Sequence, residues 1–436
     1  MAEPSALVTD LYELTMAAAY HRHGMLGPAT FELFVRSLPR QRNFLVAAGL
    51  EQCLAFLEGW GFERAEIDYL RSLGLFDEPF LDFLGDLRFT GEVWAVPEGE
   101  VVFAEEPIVR VTAPMIEAQI VETFLLTTIT FETMVASKAA RVDLACGSER
   151  TFVDFSGRRD HGAEAAVVAA RAAFIGGAAA TSNVLAGMRF GLPLSGTMAH
   201  SYVMAFADER EAFRCFARQF PGQAVLLIDT YDTEEGARRA AEVANELQAD
   251  GITIRAVRLD SGDLAVLAPR VRAILDEAGL DGVQLFASGD LDEHRIAAMA
   301  GLPLDAFGVG TMLGTSADAP FLGGVYKLVE DEHGPKVKLS AGKRSWPGRK
   351  QVYRAEDHDV VALADEDGVP GRPLLHQVMV EGRRTGAAEP LGVLRERRAA
   401  AVAALPGDLL ALDRQVPYRV RRSDALERLG AGCTPS

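Results

Sequence analysis

The chain has 436 residues, of which 49% are apolar and 24% charged, and a formal net charge of −18. That is the mix of a soluble globular protein too long for one ordinary core. So acidic a balance argues against general nucleic-acid binding, which needs clustered positive charge to meet phosphates. The opening residues lack a basic region followed by an apolar block, so no secretory signal is expected. Apolar stretches such as 163–180 are Ala-rich and interrupted by Glu164 and Arg171, which predicts core helix and no membrane partner. Four cysteines, Cys53, Cys146, Cys215 and Cys433, stand far apart. They exclude a disulfide framework or zinc ribbon and fit a reducing, cytoplasmic setting.

In chain order, Thr9 or Asp10 is placed to cap a helix over 9–20, with Leu11, Leu14 and Ala18 at helical spacing. Residues 30–36 alternate as a strand. Residues 44–88 read as helical with breaks at Gly59, Gly61 and Gly74, and 89–113 return to β character with turns between. A long helix from Glu117 to about Ala145 brings Lys138 and Arg141 onto one side. From about residue 150 to 314 strands alternate with helices at 163–188, 208–219, 234–248, 264–278 and 291–300. This spacing predicts parallel strands joined by right-handed crossovers. Six strand candidates lie there, and 314–330 is a candidate for one more. The count suits an incomplete or irregular barrel better than an open doubly wound sheet. The last hundred residues mix short strands at 351–354, 360–363 and 377–380 with a helix near 394–404, and are expected to return to the N-terminal part.

Each candidate strand from 150 onward runs into a short polar cluster. Residues 150–155 lead into Ser156-Gly157-Arg158-Arg159, and 192–194 into Ser195-Gly196-Thr197-Met198-Ala199-His200-Ser201. Residues 225–228 lead into Asp229-Thr230-Tyr231-Asp232, and 254–257 into Arg258-Leu259-Asp260-Ser261-Gly262-Asp263. Residues 283–286 reach Ala287-Ser288-Gly289-Asp290, and 306–309 reach Gly310-Thr311. An apolar run crosses a core, whereas Gly, Ser, Asp and Arg at its end have reached solvent or a ligand. When strands are parallel, their carboxyl ends share one rim, and that rim carries the site.

Four acids at one rim repel one another unless a cation, a ribose diol or a proton is shared between them. Asp232 and Asp263 precede helices and read as N-caps, which leaves Asp229 and Asp260, nearer the strand ends, for function. Arg158 and Arg258 offer the planar two-point grip that suits a phosphate or carboxylate, with Arg159 open between that role and a local ion pair. Gly289 and Gly310 let a phosphate approach backbone N–H groups with no side chain in the way. His200 is the one histidine of eight inside a small-residue strand-end segment. It reads either as a satisfied structural group or as a nucleophile or general base, oriented by a carboxylate such as Asp229. No zinc-ligand spacing, P-loop or dinucleotide fingerprint occurs. Of six lysines, Lys327, Lys336, Lys338, Lys343 and Lys350 cluster with Arg344 and Arg349, either as a solvated hairpin or as an anion-handling flap.

These motifs carry a resemblance. Thr9-Asp10-Leu11-Tyr12-Glu13-Leu14-Thr15-Met16, Asp154–Arg159, Thr181–Gly187, Gly196–Ser201, Leu227–Asp232, Arg258–Asp263, Phe307–Thr311 and Val325–Leu328 resemble, in order, those of nicotinate phosphoribosyltransferases. The likeness runs to about residue 354, and the final eighty residues add little. It implies an α/β fold of the type II phosphoribosyltransferase kind: an irregular TIM-like α/β barrel over 123–335, with a second α/β sandwich domain built from 1–122 and 336–436. It implies a homodimer with shared active sites, and the joining of nicotinate to phosphoribosyl pyrophosphate with ATP hydrolysis coupled through a phosphohistidine and Mg²⁺ accompanying the pyrophosphate. By motif position it makes His200 the phosphorylated residue and Asp229 its orienting carboxylate. Tyr12 would reach the partner subunit's pyridine ring with Phe155 on the other face, and Arg158 and Thr197 would meet the substrate acid. Ser201, next to His200, would also bind substrate, while Arg258, Asp260, Gly289, Asp290, Gly310 and Thr311 would hold ribose and phosphate. One departure is Ser156-Gly157 before Arg158, where the family more often reads Phe-Gly-x-Arg, so the backbone path there is open.

The chemistry of the rim agrees with the resemblance. Breaking the bond from ribose C1 to pyrophosphate builds positive charge on the sugar and negative charge on the leaving group, calling for carboxylates near one and cations near the other. The uncharged Thr181-Ser182-Asn183 favours nicotinate over nicotinamide, since a carboxylate beside Arg158 would oppose a substrate acid. Quinolinate would need extra cations, for which Lys138 and Arg141 are candidates. A rival of another class is a non-catalytic nucleotide-binding regulator on the same fold, expected to have lost the rim residues.

Overall fold

A computed structural model describes residues 5–340 and 345–433. The chain separates into two compact units, with the breaks at Ser137/Lys138 and Pro320/Phe321.

In the unit formed by 138–320, six parallel strands form one sheet: Thr151–Asp154, Ala180–Thr181, Val225–Leu227, Ala256–Leu259, Gln284–Ala287 and Ala306–Val309. The order is cyclic, because the first strand pairs with the last, Asp154 against Val309. Ala180–Thr181 and Val225–Leu227 stand at the two edges of the sheet, with no ladder between them. Strands covered on both faces read as continuous apolar runs. Accordingly Phe152, Leu226, Val257, Leu285 and Phe307 are fully buried, while the alternate positions Val153, Val225, Ala256 and Phe286 join Ala180 in a second cluster. Asp232 and Asp263 cap helices as expected, accepting from Glu235 N (2.8 Å) and Ala265 N (3.0 Å).

Three sequence expectations are corrected here. The expected helix over 163–188 is two helices, Ala163–Ile175 and Val184–Phe190, with the strand Ala180–Thr181 between. Gly177, at φ +123°, ends the first where any other residue would be strained. The strand expected at 192–194 is only an isolated bridge from Leu194 to Thr181. The additional strand sought in 314–330 forms as Gly324–Asp331, but it pairs antiparallel with Pro28–Val35 in the other unit.

That other unit interleaves the two ends of the chain. Its seven-stranded antiparallel sheet runs Gly334–Pro335, Gly324–Asp331, Pro28–Val35, Pro107–Pro114, Glu92–Ala95, His376–Val380, Arg383–Arg384. A four-stranded sheet (Arg372–Pro373, Lys350–Arg354, Asp359–Leu363, Val420–Arg422) completes it, and Leu45–Val46 pairs with Val101–Val102. Helix Leu11–Arg22 begins at Asp10, whose N–H is met by the Glu13 carboxylate at 3.4 Å, a capping box. The helical stretch 115–146 is the one long and apolar enough by composition to cross a membrane among the described residues, and 56% of its apolar window is buried inside the protein. The lysine cluster reads here as structure: Lys336 pairs with Asp331 (3.0 Å), Arg349 with Glu330 (3.1 Å), and buried Lys350 with Glu32 (2.9 Å). Lys343 and Arg344 lie outside the described residues.

Buried charge also joins N- and C-terminal segments around Asp359. Arg354 grips Asp359 and reaches Glu100 at 3.0 Å, and the Tyr418 hydroxyl donates to Asp359 at 2.9 Å. Glu106, fully buried, faces Asp359, and its Oε1 has no donor in reach. A proton held by Glu106 toward Asp359 removes the clash of the two buried carboxylates. Burial, then the Asp359 charge, drives the Glu106 carboxyl well above its ordinary value, with Arg354 opposing. A folded-state pKa above the unfolded one contributes stability that is complete below about pH 4.3 and is lost as pH rises through the folded value. The Glu106→Gln variant mimics the protonated form, so thermal melts should show it gaining on the parent as pH rises, about 2–4 °C for each kcal/mol recovered. Parallel pH profiles for the two proteins would contradict the shared proton.

Candidate active site

The register of the parallel sheet sets the strand ends level: Asp154 pairs with Thr181 and with Val309, and Leu259 with Ala287. The residues immediately beyond therefore converge. Their centre is Asp260. Its carboxylate accepts from Arg258 Nη1 (3.4 Å) and from the Ser288 hydroxyl, and its Oδ2 lies 3.7 Å from His200 Nε2. Its N–H donates to Asp229 Oδ2 at 3.1 Å. Its carbonyl abuts Gly289, where a Cβ would sit 2.3 Å from that oxygen, and Gly289 has φ +102°. Glycine is required there on both counts.

Arg258 also donates to Ser288 Oγ (3.4 Å) and the Met198 carbonyl (3.0 Å), while its Nε is buried with no acceptor. Burial lowers its guanidinium from the ordinary value; Asp260 and Asp229 oppose this, and Arg158 adds to it by repulsion. Two guanidinium groups near enough to repel are unfavourable until an anion joins them.

His200 opens the short helix His200–Met204, with Ser201 beside it. Its Nδ1 lies 3.2 Å from Thr230 Oγ1. Asp229, expected from its motif position to orient the imidazole, turns instead to Asp260 N and to the Ser261 hydroxyl at 2.5 Å. Its Oδ1 is buried without a hydrogen-bond partner. Thr197 donates to the Met198 carbonyl at 3.0 Å.

The Ser156-Gly157 departure resolves into a one-turn helix, Ser156–Arg158, held by buried Asp154. Asp154 accepts from Ser156 N (2.9 Å) and Thr181 Oγ1 (2.7 Å), and Ser156 Oγ donates to Asp160 (3.0 Å). Burial raises Asp154 above its ordinary value against those hydrogen bonds. Arg158 leaves this turn exposed. Phe155 packs on Phe286 with ring centroids 5.7 Å apart and lies over Gly308, where a Cβ would come within 2.6 Å of the ring. Gly310 precedes the short helix Thr311–Gly314, and Asp290 adopts a left-handed φ of +50°. Tyr12 belongs to the other unit; it is 49% exposed, and its hydroxyl donates to Glu13 at 3.3 Å.

Sequence reading missed Thr230, Ser288 and Asp154. All three stood inside motifs already singled out, but a hydroxyl beside an acid draws less notice than the acid. The quinolinate option loses its cations: Lys138 and Arg141 are buried on Glu293, with Lys138 also 2.8 Å from Asp318.

Such a rim can hold phosphate on cations and bare N–H groups, a sugar on carboxylates, and a flat ring on Phe155. Comparison with known proteins agrees. The family model described as the nicotinate phosphoribosyltransferase N-terminal domain matches residues 7–130, and that of the quinolinate phosphoribosyltransferase C-terminal domain matches 135–319. The crystal structure of human nicotinic acid phosphoribosyltransferase superposes with a TM-score of 0.88 at 28% identity, covering 98% of this chain and all of that one. A nicotinate phosphoribosyltransferase of Bacillus subtilis is 44% identical over 378 residues, 83% of this chain and 76% of the relative. One of Mycobacterium tuberculosis is 48% identical over 429 residues, 97% of this chain and 92% of the relative. With likeness of that degree along nearly its whole length, and the rim residues in their motif positions, the chain belongs to the nicotinate phosphoribosyltransferase family.

Proposed function

We propose that the protein joins nicotinate to 5-phosphoribosyl 1-pyrophosphate, giving nicotinate mononucleotide and pyrophosphate in NAD salvage, and that ATP hydrolysis is coupled through phosphorylation of His200. The observation that carries this reading is the convergence of His200, Arg258 and the Gly289 turn on Asp260. The pyridine nitrogen attacks ribose C1, and the C1–oxygen bond breaks with its electron pair leaving on pyrophosphate. The nitrogen is already nucleophilic, so orientation of the ring against Phe155 matters more than a base. Arg258, the exposed Arg158 and the N–H groups of the Gly289 and Gly310 turns suit the anions; Asp260 suits the sugar as positive charge grows.

In the coupled step the imidazole takes the γ-phosphoryl group of ATP and releases ADP; water later takes the phosphate. Thr230 on Nδ1 leaves Nε2 as the nitrogen toward the rim. The buried, unpartnered Oδ1 of Asp229 and the carboxylate of Asp260 are oxygens fit to hold Mg²⁺, which would offset pyrophosphate charge. For selectivity, the acid at the base of the Arg158 turn, Asp154, is buried and spends both oxygens on Ser156 and Thr181 instead of facing the substrate acid. That eases the approach of a substrate carboxylate and favours nicotinate over nicotinamide.

In the accompanying fold reading, the strand order fits an irregular barrel with one open seam; the barrel expected over 123–335 is cut back to 138–320, because Gly324–Asp331 and Gly334–Pro335 pair in the sandwich sheet built from both chain ends. Two copies would share sites, Tyr12 of one reaching the pyridine ring of the other. Support comes from apolar side chains left in solvent: Leu11 (52% exposed) beside Tyr12, and Val184 (70%), Met188 (76%) and Leu194 (54%). Cys53 and Cys146, buried and not disulfide-bonded, fit a cytoplasmic setting.

The test is phosphate transfer from γ-labelled ATP. The parent should carry acid-labile label and turn over faster with ATP, and His200→Ala should lose both; full ATP-coupled activity in that variant would remove the histidine from the reaction. Asp260→Asn should lower kcat/KM by about 100-fold or more, because one substitution loosens sugar, arginine and imidazole contacts together. In a three-substrate comparison nicotinate should be preferred over nicotinamide and quinolinate, and a preference for either rival would overturn the selectivity argument.

A further inference from the structure

The Gly289–Asp290 turn is conformationally expensive. Both residues have positive φ, +102° and +50°, and the second is not glycine. Such backbone persists only where its surroundings over-determine it. On the N-terminal side the turn is held by the rim: Ser288 N donates to Leu259 O at 2.8 Å, the Ser288 hydroxyl donates to Asp260, and Gly289 lies against the Asp260 carbonyl. On the C-terminal side, Asp292 caps helix Glu293–Ala298 through Arg295 N (2.8 Å), and Arg295 Nη1 donates back to Asp290 O (3.0 Å). These contacts are exposed and local, so they cannot by themselves anchor that end.

The anchor is Glu293, the first residue of that helix and wholly buried. One carboxylate oxygen pairs with Lys138 Nζ and the other accepts from Arg141 Nε at 2.8 Å; both cations project from helix Glu122–Cys146, three residues apart and themselves buried. Lys138 Nζ also lies 2.8 Å from Asp318, a few residues beyond the Gly310–Thr311 turn. Two cations and two carboxylates therefore tie the far ends of both candidate phosphate turns to one rigid helix. An ionic cluster this dry adds little net stability compared with apolar residues of the same volume, but it fixes geometry closely.

We propose that Glu293 is a positioning residue: clamped by Lys138 and Arg141, it holds the Gly289–Asp290 turn in its left-handed form and so sets the affinity for the phosphoribosyl pyrophosphate substrate. This rests on the phosphoribosyl-transfer reading above. It also gives Lys138 and Arg141 a role that does not involve touching substrate.

Steady-state kinetics on the full-length enzyme with saturating ATP, paired with thermal melts, test it. In Glu293→Gln the KM for phosphoribosyl pyrophosphate should rise about tenfold or more while the KM for nicotinate stays within about twofold. The double variant Lys138→Met with Glu293→Gln removes one buried charge of each sign, so it should lose less melting temperature than Glu293→Gln alone, yet retain the same selective defect. A folded double variant with the parent's KM for both substrates overturns the proposal. So does a uniform loss of kcat and both affinities that merely follows the fall in Tm. Should neither variant fold, Glu293→Asp, which keeps the charge but shortens the reach, decides by the same split in KM. A parent enzyme that ignores phosphoribosyl pyrophosphate would instead sink the functional reading, so the two failures are told apart.

Discussion

The carboxylate and backbone of Asp260 are the constraint on which the rim depends. A strand end offers few fixed groups, yet here one residue engages Arg258, Ser288, His200, Asp229 and Gly289 at once. The parallel register makes this possible by levelling neighbouring strand ends to within two residues. Without Asp260, the buried guanidinium of Arg258 would face Arg158 with less compensation, and the imidazole would lose its acidic neighbour. What distinguishes these hydrogen bonds is that they share one hub, so they report one another's displacement.

Buried charge recurs where distant chain segments meet. Glu32 with Lys350, Arg354 with Glu100 and Asp359, and Glu293 with Lys138 and Arg141 each join residues more than a hundred positions apart, the Arg354–Asp359 contact excepted. Apolar pairs of equal volume would do as well for stability, since desolvation nearly cancels the attraction. Ionic pairs with fixed donors and acceptors discriminate between registers, which matters in a unit whose sheet flanks three N-terminal strands with strands from the C-terminal part. The Glu106–Asp359 contact goes further and makes one such junction depend on a proton.

Much of the site was legible because the chemistry sits at strand ends, and the ends are marked by abrupt changes from apolar to Gly, Ser, Asp or Arg. Asp232 and Asp263 were separable from Asp229 and Asp260 by position alone, and they do cap helices. The partner of His200 was not legible. Asp229 and Thr230 are adjacent, and which of them meets the imidazole depends on where the following strand places the Asp260 N–H. The helix break at Gly176-Gly177 was hidden by an Ala-rich composition that suits a helix throughout, and only the sheet's need for a strand at Ala180–Thr181 reveals it.

By itself the sequence determined the βα alternation, the polar rim and the family, because hydrophobic periodicity and collinear motifs are local properties that each segment carries unaided. Tertiary structure alone decided which residues share atoms: Lys138 and Arg141 became the clamp on Glu293 instead of substrate cations, Gly324–Asp331 joined the antiparallel sheet, and Thr230 took the histidine. Those outcomes turn on contacts between segments far apart in the chain, where burial and hydrogen-bond geometry select a single arrangement among several that the local pattern permits equally well.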